Sequence, residues 1–129
     1  MAIIDQILEY LKKEGLQPVK EDFGIIFKYQ MITFIILDSE DDEYFLRIIM
    51  PGIMDVDSNN RMDVLDACNK VTAGVKIAKA YINDGDDESE VWLSVEQLLD
   101  QDPRFEDIIP RSLNTLLAAH TEYIKAISG

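Results

Sequence analysis

Apolar positions along the chain change period four times, and the changes divide it into elements. Ile3, Ile4, Ile7, Leu8 and Leu11 recur at helical spacing, which predicts an amphipathic helix over residues 2–14. Gly15 and, beyond it, Pro18 stop that helix. From Phe23 to Met50 the pattern becomes runs of Ile, Phe, Tyr and Thr, predicting strands at 24–29, 32–37 and 44–50. Only Gln30-Met31 separates the first two, so they form an antiparallel hairpin. Ser58 is placed to cap a second helix with a stripe of Met62, Leu65, Cys68, Val71 and Thr72, ended by Gly74. Strands over 76–82 and 91–96 follow, with Asn83-Asp84-Gly85 starting the turn between them. A last helix is predicted from Pro110 to Ile127 with the stripe Leu113, Leu116, Leu117, His120, Ile124 and Ile127, and a separate helical turn over 102–109 leads into it.

The order is α-βββ-α-ββ-α. Hairpins dominate each strand group, so the fold class is α+β, with an antiparallel sheet packed by helices. Its 129 residues fit a single domain over 1–129 with an ample core. Two strands depart from the ordinary alternation of a half-exposed sheet. Ile32, Phe34 and Ile36 point one way while Ile35 and Leu37 point the other. The next strand puts Leu46, Ile48 and Met50 on one side and Phe45 and Ile49 on the other. Both faces therefore need cover, and a small domain often supplies it by dimerising. Ile32, Phe34, Ile36, Phe45 and Ile49 are the candidate partner or dimer surface.

Charge narrows the functional classes. Twelve Lys and Arg against 25 Asp and Glu give a net −13. Such a surface repels nucleic-acid phosphates and anionic lipid. The one cysteine excludes an intrachain disulfide and fits a reducing compartment. No secretory leader and no apolar run of membrane-spanning length are evident, so a cytoplasmic location is expected.

Catalytic constellations are hard to assemble. The single His120 and the single Cys68 both fall on apolar helical stripes, where packing is the simpler reading. The six glycines are isolated from one another, leaving no phosphate loop, and zinc would lack ligands. No cofactor is expected. One acidic window resembles a calcium loop, with Asp55, Asp57, Asn59, Asp63 and Asp66 at its ligand positions. Against it, Asn60 replaces the loop glycine, Asp66 replaces the bidentate glutamate, and a strand precedes it. The expectation is no metal and no enzyme.

With the elements in order, the chain resembles the YbjN-like family, proposed regulators of bacterial sensory transduction with a type III secretion chaperone-like fold. The resemblance is carried by Ile7-Leu8-Glu9-Tyr10-Leu11 with Glu14-Gly15-Leu16, Phe27-Lys28-Tyr29, Phe45-Leu46-Arg47-Ile48, Ala67-Cys68-Asn69, Val75 to Tyr81, Val91 to Glu96 and Ile109 to Leu113. It covers nearly the whole chain. Its one departure is the Gln30-Met31 turn, where a glycine is usual. The resemblance implies a cytoplasmic, often homodimeric protein that binds other proteins and has no catalytic residues to transfer. The expected function is a non-catalytic, protein-binding regulatory or chaperone-like module. A small-molecule or calcium-responsive sensor is the alternative.

Overall fold

The computed structural model describes residues 1–129. Helix α1 (Ile3–Lys13) is followed by strands β1 (Val19–Glu21), β2 (Gly24–Tyr29), β3 (Ile32–Leu37), β4 (Phe45–Met50) and β5 (Asp55–Val56). Helix α2 (Arg61–Gly74), strands β6 (Ala78–Asp84) and β7 (Ser89–Leu98), and helix α3 (Phe105–Ser128) complete the chain. The α+β class and the element order hold, with two short strands added, β1 and β5. All pairings are antiparallel. The sheet runs β1-β2-β3-β4-β7, with β6 on the far side of β7 and β5 continuing the lane of β4. Pro51-Gly52 breaks that lane: Met50 pairs with Leu93 and Asp55 with Glu90, so two extra residues bulge between them, and Gly52 takes φ +64°.

All three helices lie on one face of the sheet. Ile7 and Leu11 of α1, Val64 and Val71 of α2, and Leu113, Leu116 and Tyr123 of α3 enclose Phe27, Phe34, Ile36, Ile48, Leu93 and Val95. α1 ends in a Schellman motif. Leu16 donates its amide to the Leu11 carbonyl and Gly15 to that of Lys12, with Gly15 at φ +84°.

Several local expectations are corrected. The cap of α2 is Asn60, not Ser58. The Asp57 carboxylate accepts the amides of Asn59 (2.8 Å) and Asn60 (3.0 Å), so the acid occupies the capping place expected of the serine. The buried stripe of α2 is Val64, Ala67, Cys68 and Val71, leaving Met62 and Leu65 exposed. In α3 the stripe turns by one residue, to Ala119 and Tyr123 in place of His120 and Ile124. α3 is also one helix rather than a turn and a helix. Pro110 sits in its second turn, on the exposed side, where the carbonyl of exposed Glu106 loses its partner to solvent while Phe105, Ile109 and Leu113 continue the buried stripe. The Gln30-Met31 turn keeps its hairpin without glycine: φ is +52° and +66°, the left-handed pair that matches strand twist.

Candidate functional site

Because the helices share one face, no helix lies over the other, here called the open face, although Ile49 and Ser94 at its middle are buried by their neighbours. Strand register decides which side chains stand on it. Val19 pairs with Ile26, Ile26 with Ile35, and Ile35 with Ile49. Four β-branched side chains thus form a continuous row across β1, β2, β3 and β4. Val19 is 55% exposed and Ile49 is fully buried. Ile49 is the one buried apolar side chain that lies outside the helix-covered core. The row continues through buried Ser94 on β7 to Lys79 on β6.

Beside the row stands a polar and aromatic group. Arg47 donates from Nη2 to the Tyr81 hydroxyl at 2.8 Å, while its Nε is buried with no hydrogen-bond partner. Such a donor carries a desolvation penalty of about 1–3 kcal/mol. The Glu96 carboxylate lies 3.7 Å from that Nε and 3.1 Å from Lys79 Nζ, and it accepts the Ser94 hydroxyl at 2.9 Å. Burial pushes the Glu96 carboxyl up, but the hydrogen bonds from Lys79 and Ser94 and the charges of Lys79 and Arg47 outweigh it, so its pKa is lowered. Lys79 and Arg47 stand 5.4 and 5.9 Å from the centre of the Tyr81 ring, and Trp92 packs beside that ring. Trp92 Nε1 donates to Glu90 at 2.6 Å.

The residues singled out from sequence divide between the two faces. Phe34 and Ile36 are fully buried under the helices, and Ile32 packs against the same core. They serve the chain's own interior because Phe34 and Ile36 pair with Phe27 and Ile25 on the covered face. Phe45 and Ile49 stand on the open face, with Phe45 opposite Leu98. The calcium window is dispersed. Asp55 belongs to β5, Asp57 is engaged with two backbone amides, and Asp63 and Asp66 ride on α2, with Asp66 3.2 Å from Lys70. No three His, Cys, Asp or Glu side chains gather as a metal site. Cys68 is buried, and burial pushes its thiol up to about 11. His120 is half-buried on α3.

The group around Arg47 went unread in the sequence. Arg47 and Tyr81 are 34 residues apart, and only the pairing of both β4 and β6 with β7 brings them together. The available signal was parity: Lys79 and Tyr81, like Trp92, Ser94 and Glu96, alternate with apolar neighbours and so share one face.

No family model and no curated protein matches the sequence. Solved structures do resemble the fold. A crystal structure of YbjN from E. coli, a proposed transcription regulator, superposes with a TM-score of 0.71 at 10% identity, over 97% of this chain and 91% of that one. An uncharacterised protein from Methanothermobacter thermautotrophicus superposes with a TM-score of 0.65 at 14% identity, over 98% of this chain and 96% of that one. The chain has a YbjN-like fold. No helix is long and apolar enough to cross a membrane.

Proposed function

We propose that this chain is a non-catalytic regulatory module of the cytoplasm that works by binding protein at the open face of its sheet. The accessible part of the row, exposed Val19 with half-buried Ile26 and Ile35, carries the reading; Ile49 at its end is already buried in the single chain. A continuous apolar row on a sheet face with no helix over it is the pattern of a surface that a partner covers. The likeness to YbjN, itself a proposed transcription regulator, supports a regulatory role. Net charge then bears on the kind of contact. At −13 the chain repels phosphate backbones, so regulation through a protein partner fits better than direct contact with DNA.

Site-specific photo-crosslinking in the producing cell tests this. A crosslinker at Ile35, on the open face, is expected to give a discrete protein adduct, and one at Leu65, exposed on α2, none. Absence of any protein adduct from Ile35 overturns the proposal.

A further inference from the structure

On the helix-covered side of the sheet, α1, the hairpin end of β2 and the start of α3 leave a pocket of about 210 Å³ between them. Leu11, Leu16 and Leu113 make it apolar, and Tyr10 and Tyr29 bring two phenols to it. Tyr29 is held by tilted packing on Phe34, with ring centres 6.4 Å apart. The acceptors at this pocket lack donors. Exposed Glu14 at its rim is the C-cap of α1, where the partial negative charge of the helix end disfavours a carboxylate. It nevertheless makes no ion pair. Pro110 also lines the pocket, and its missing N–H leaves the Glu106 carbonyl, one turn earlier in α3, without a helical donor. The potential here is negative: burial raises the Tyr10 phenol, and the charges of Glu14 and Glu106 add to that rise. Neighbouring cations are engaged elsewhere. Arg104 lies 3.3 Å from both Glu106 and Asp107, Lys12 lies 3.9 Å from Glu9, and Lys13 acts on Glu106.

We infer that this pocket binds a small organic cation, a protonated amine carried on an apolar body about one ring in size. The volume sets the body. A dry cavity of about 150 Å³ takes benzene, so 210 Å³ holds a ring with a short chain. The acceptors set the head. An ammonium brings three N–H donors and a positive charge to the Glu14 carboxylate and the Glu106 carbonyl. The faces of the two phenol rings attract the same charge. An anionic ligand would meet Glu14 and the negative end of α1, with no cation among the residues that line the pocket. A neutral ligand would cover Glu14 and leave it unpaired. The site is independent of the protein-binding face, which lies across the sheet.

Titration of the full chain with phenethylammonium, followed by the NMR shifts of its backbone amides, is the test. Saturable binding with Kd of about 1 mM or tighter is expected, with the shifts gathered at Tyr10, Leu16, Tyr29 and Leu113. Phenylethanol and phenylpropanoate, similar in shape but neutral and anionic, are each expected to bind at least about tenfold more weakly. Butylammonium, which copies a lysine side chain, keeps the head and lacks the ring, and is expected to be at least about fivefold weaker. Glu14→Gln, at an exposed helix end, keeps the fold and is expected to weaken phenethylammonium about fivefold or more. Tyr29→Leu keeps the apolar lining, removes one ring and is expected to weaken it about threefold. No shifts up to about 10 mM probe, shifts centred on the acidic turn at Asp86 and Asp87, binding indifferent to the charge or ring of the probe, or either variant binding as wild type overturns the inference.

Discussion

Thr72 closes the free edge of the sheet at Ala80. Its hydroxyl accepts the Ala80 amide at 2.9 Å and donates to the Ala80 carbonyl at 3.3 Å, so a side chain of α2 takes the place of a neighbouring strand. β6 pairs only with β7, and an open edge invites pairing with another chain. Thr72→Val keeps the shape and removes both bonds. It is expected to cost about 1–2 kcal/mol in chemical denaturation and to speed hydrogen exchange at the Ala80 amide. Thr72→Ser, which retains the hydroxyl, should stay close to wild type in both measurements.

Gly24 and Gly74 should respond in opposite directions to the same change. At Gly24 φ is +146°, and an added Cβ would meet the Ile36 carbonyl oxygen across the β2–β3 pairing. Gly24→Ala is expected to destabilise by about 3 kcal/mol, combining left-handed strain with a backbone clash. Gly74 closes α2 with nothing within 4 Å of a new Cβ. Gly74→Ala should stabilise by about 0.5–1 kcal/mol through helix propensity. Thermal melts of the two variants beside wild type check both signs.

How far the sequence could be read depended on whether a feature is local. β2 and β3 were legible to the residue, because the run on each side of Gln30-Met31 is rich in β-formers and the gap admits only a two-residue turn. The need to cover two faces was legible from Ile35 and Ile49 lying out of phase with Ile36 and Ile48. Which face the helices take was not. The residues on the two faces are of the same types, and the choice depends on how α1, α2 and α3 pack together. The rotation of the α3 stripe has the same cause. Tyr123 and Ile124 are both apolar neighbours, and Tyr123 is preferred because its ring fills the core and its hydroxyl reaches Met54 Sδ at 3.3 Å. Pro110 read as a helix start because its N–H deficit suits a first turn, whereas an exposed second turn tolerates it too.

Cys68 and Tyr123 make the core sensitive to alkali. Burial pushes the Cys68 thiol from 9.0 to about 11, and burial together with the nearby Cys68 pushes the Tyr123 phenol from 10.0 to about 12. Both groups hold their protons more tightly when folded, so the unfolded chain releases them first. Their contribution is intact below the unfolded values and is lost as pH rises toward the folded ones. Between pH 9 and 11 the loss from Cys68 alone is about 2–3 kcal/mol, at about 1.4 kcal/mol per unit. Urea titrations across that range should show wild type weakening more steeply than Cys68→Ala, and Tyr123→Phe should flatten the part above pH 10.

Glu96 sets the opposite limit. Burial alone would raise its carboxyl, yet Lys79, Ser94 and Arg47 hold it below its ordinary value of 4.5. A depressed carboxylate contributes stability that is present above the unfolded pKa and lost as pH falls through the folded one. The anion also offsets Arg47, whose Nε has no hydrogen bond of its own. Glu96→Gln keeps the shape but removes the charge. It is expected to cost about 1 kcal/mol near neutral pH, because the pair is partly buried and Arg47 is left without its counter-charge. The same variant should lose less stability than wild type between about pH 5 and pH 3, since the group that titrates there is gone. Urea unfolding of the two proteins at matched pH isolates this carboxylate from the other 24 acids, which titrate alike in both. Parallel curves through that range would show that Glu96 is not held by Lys79 and Arg47 in solution.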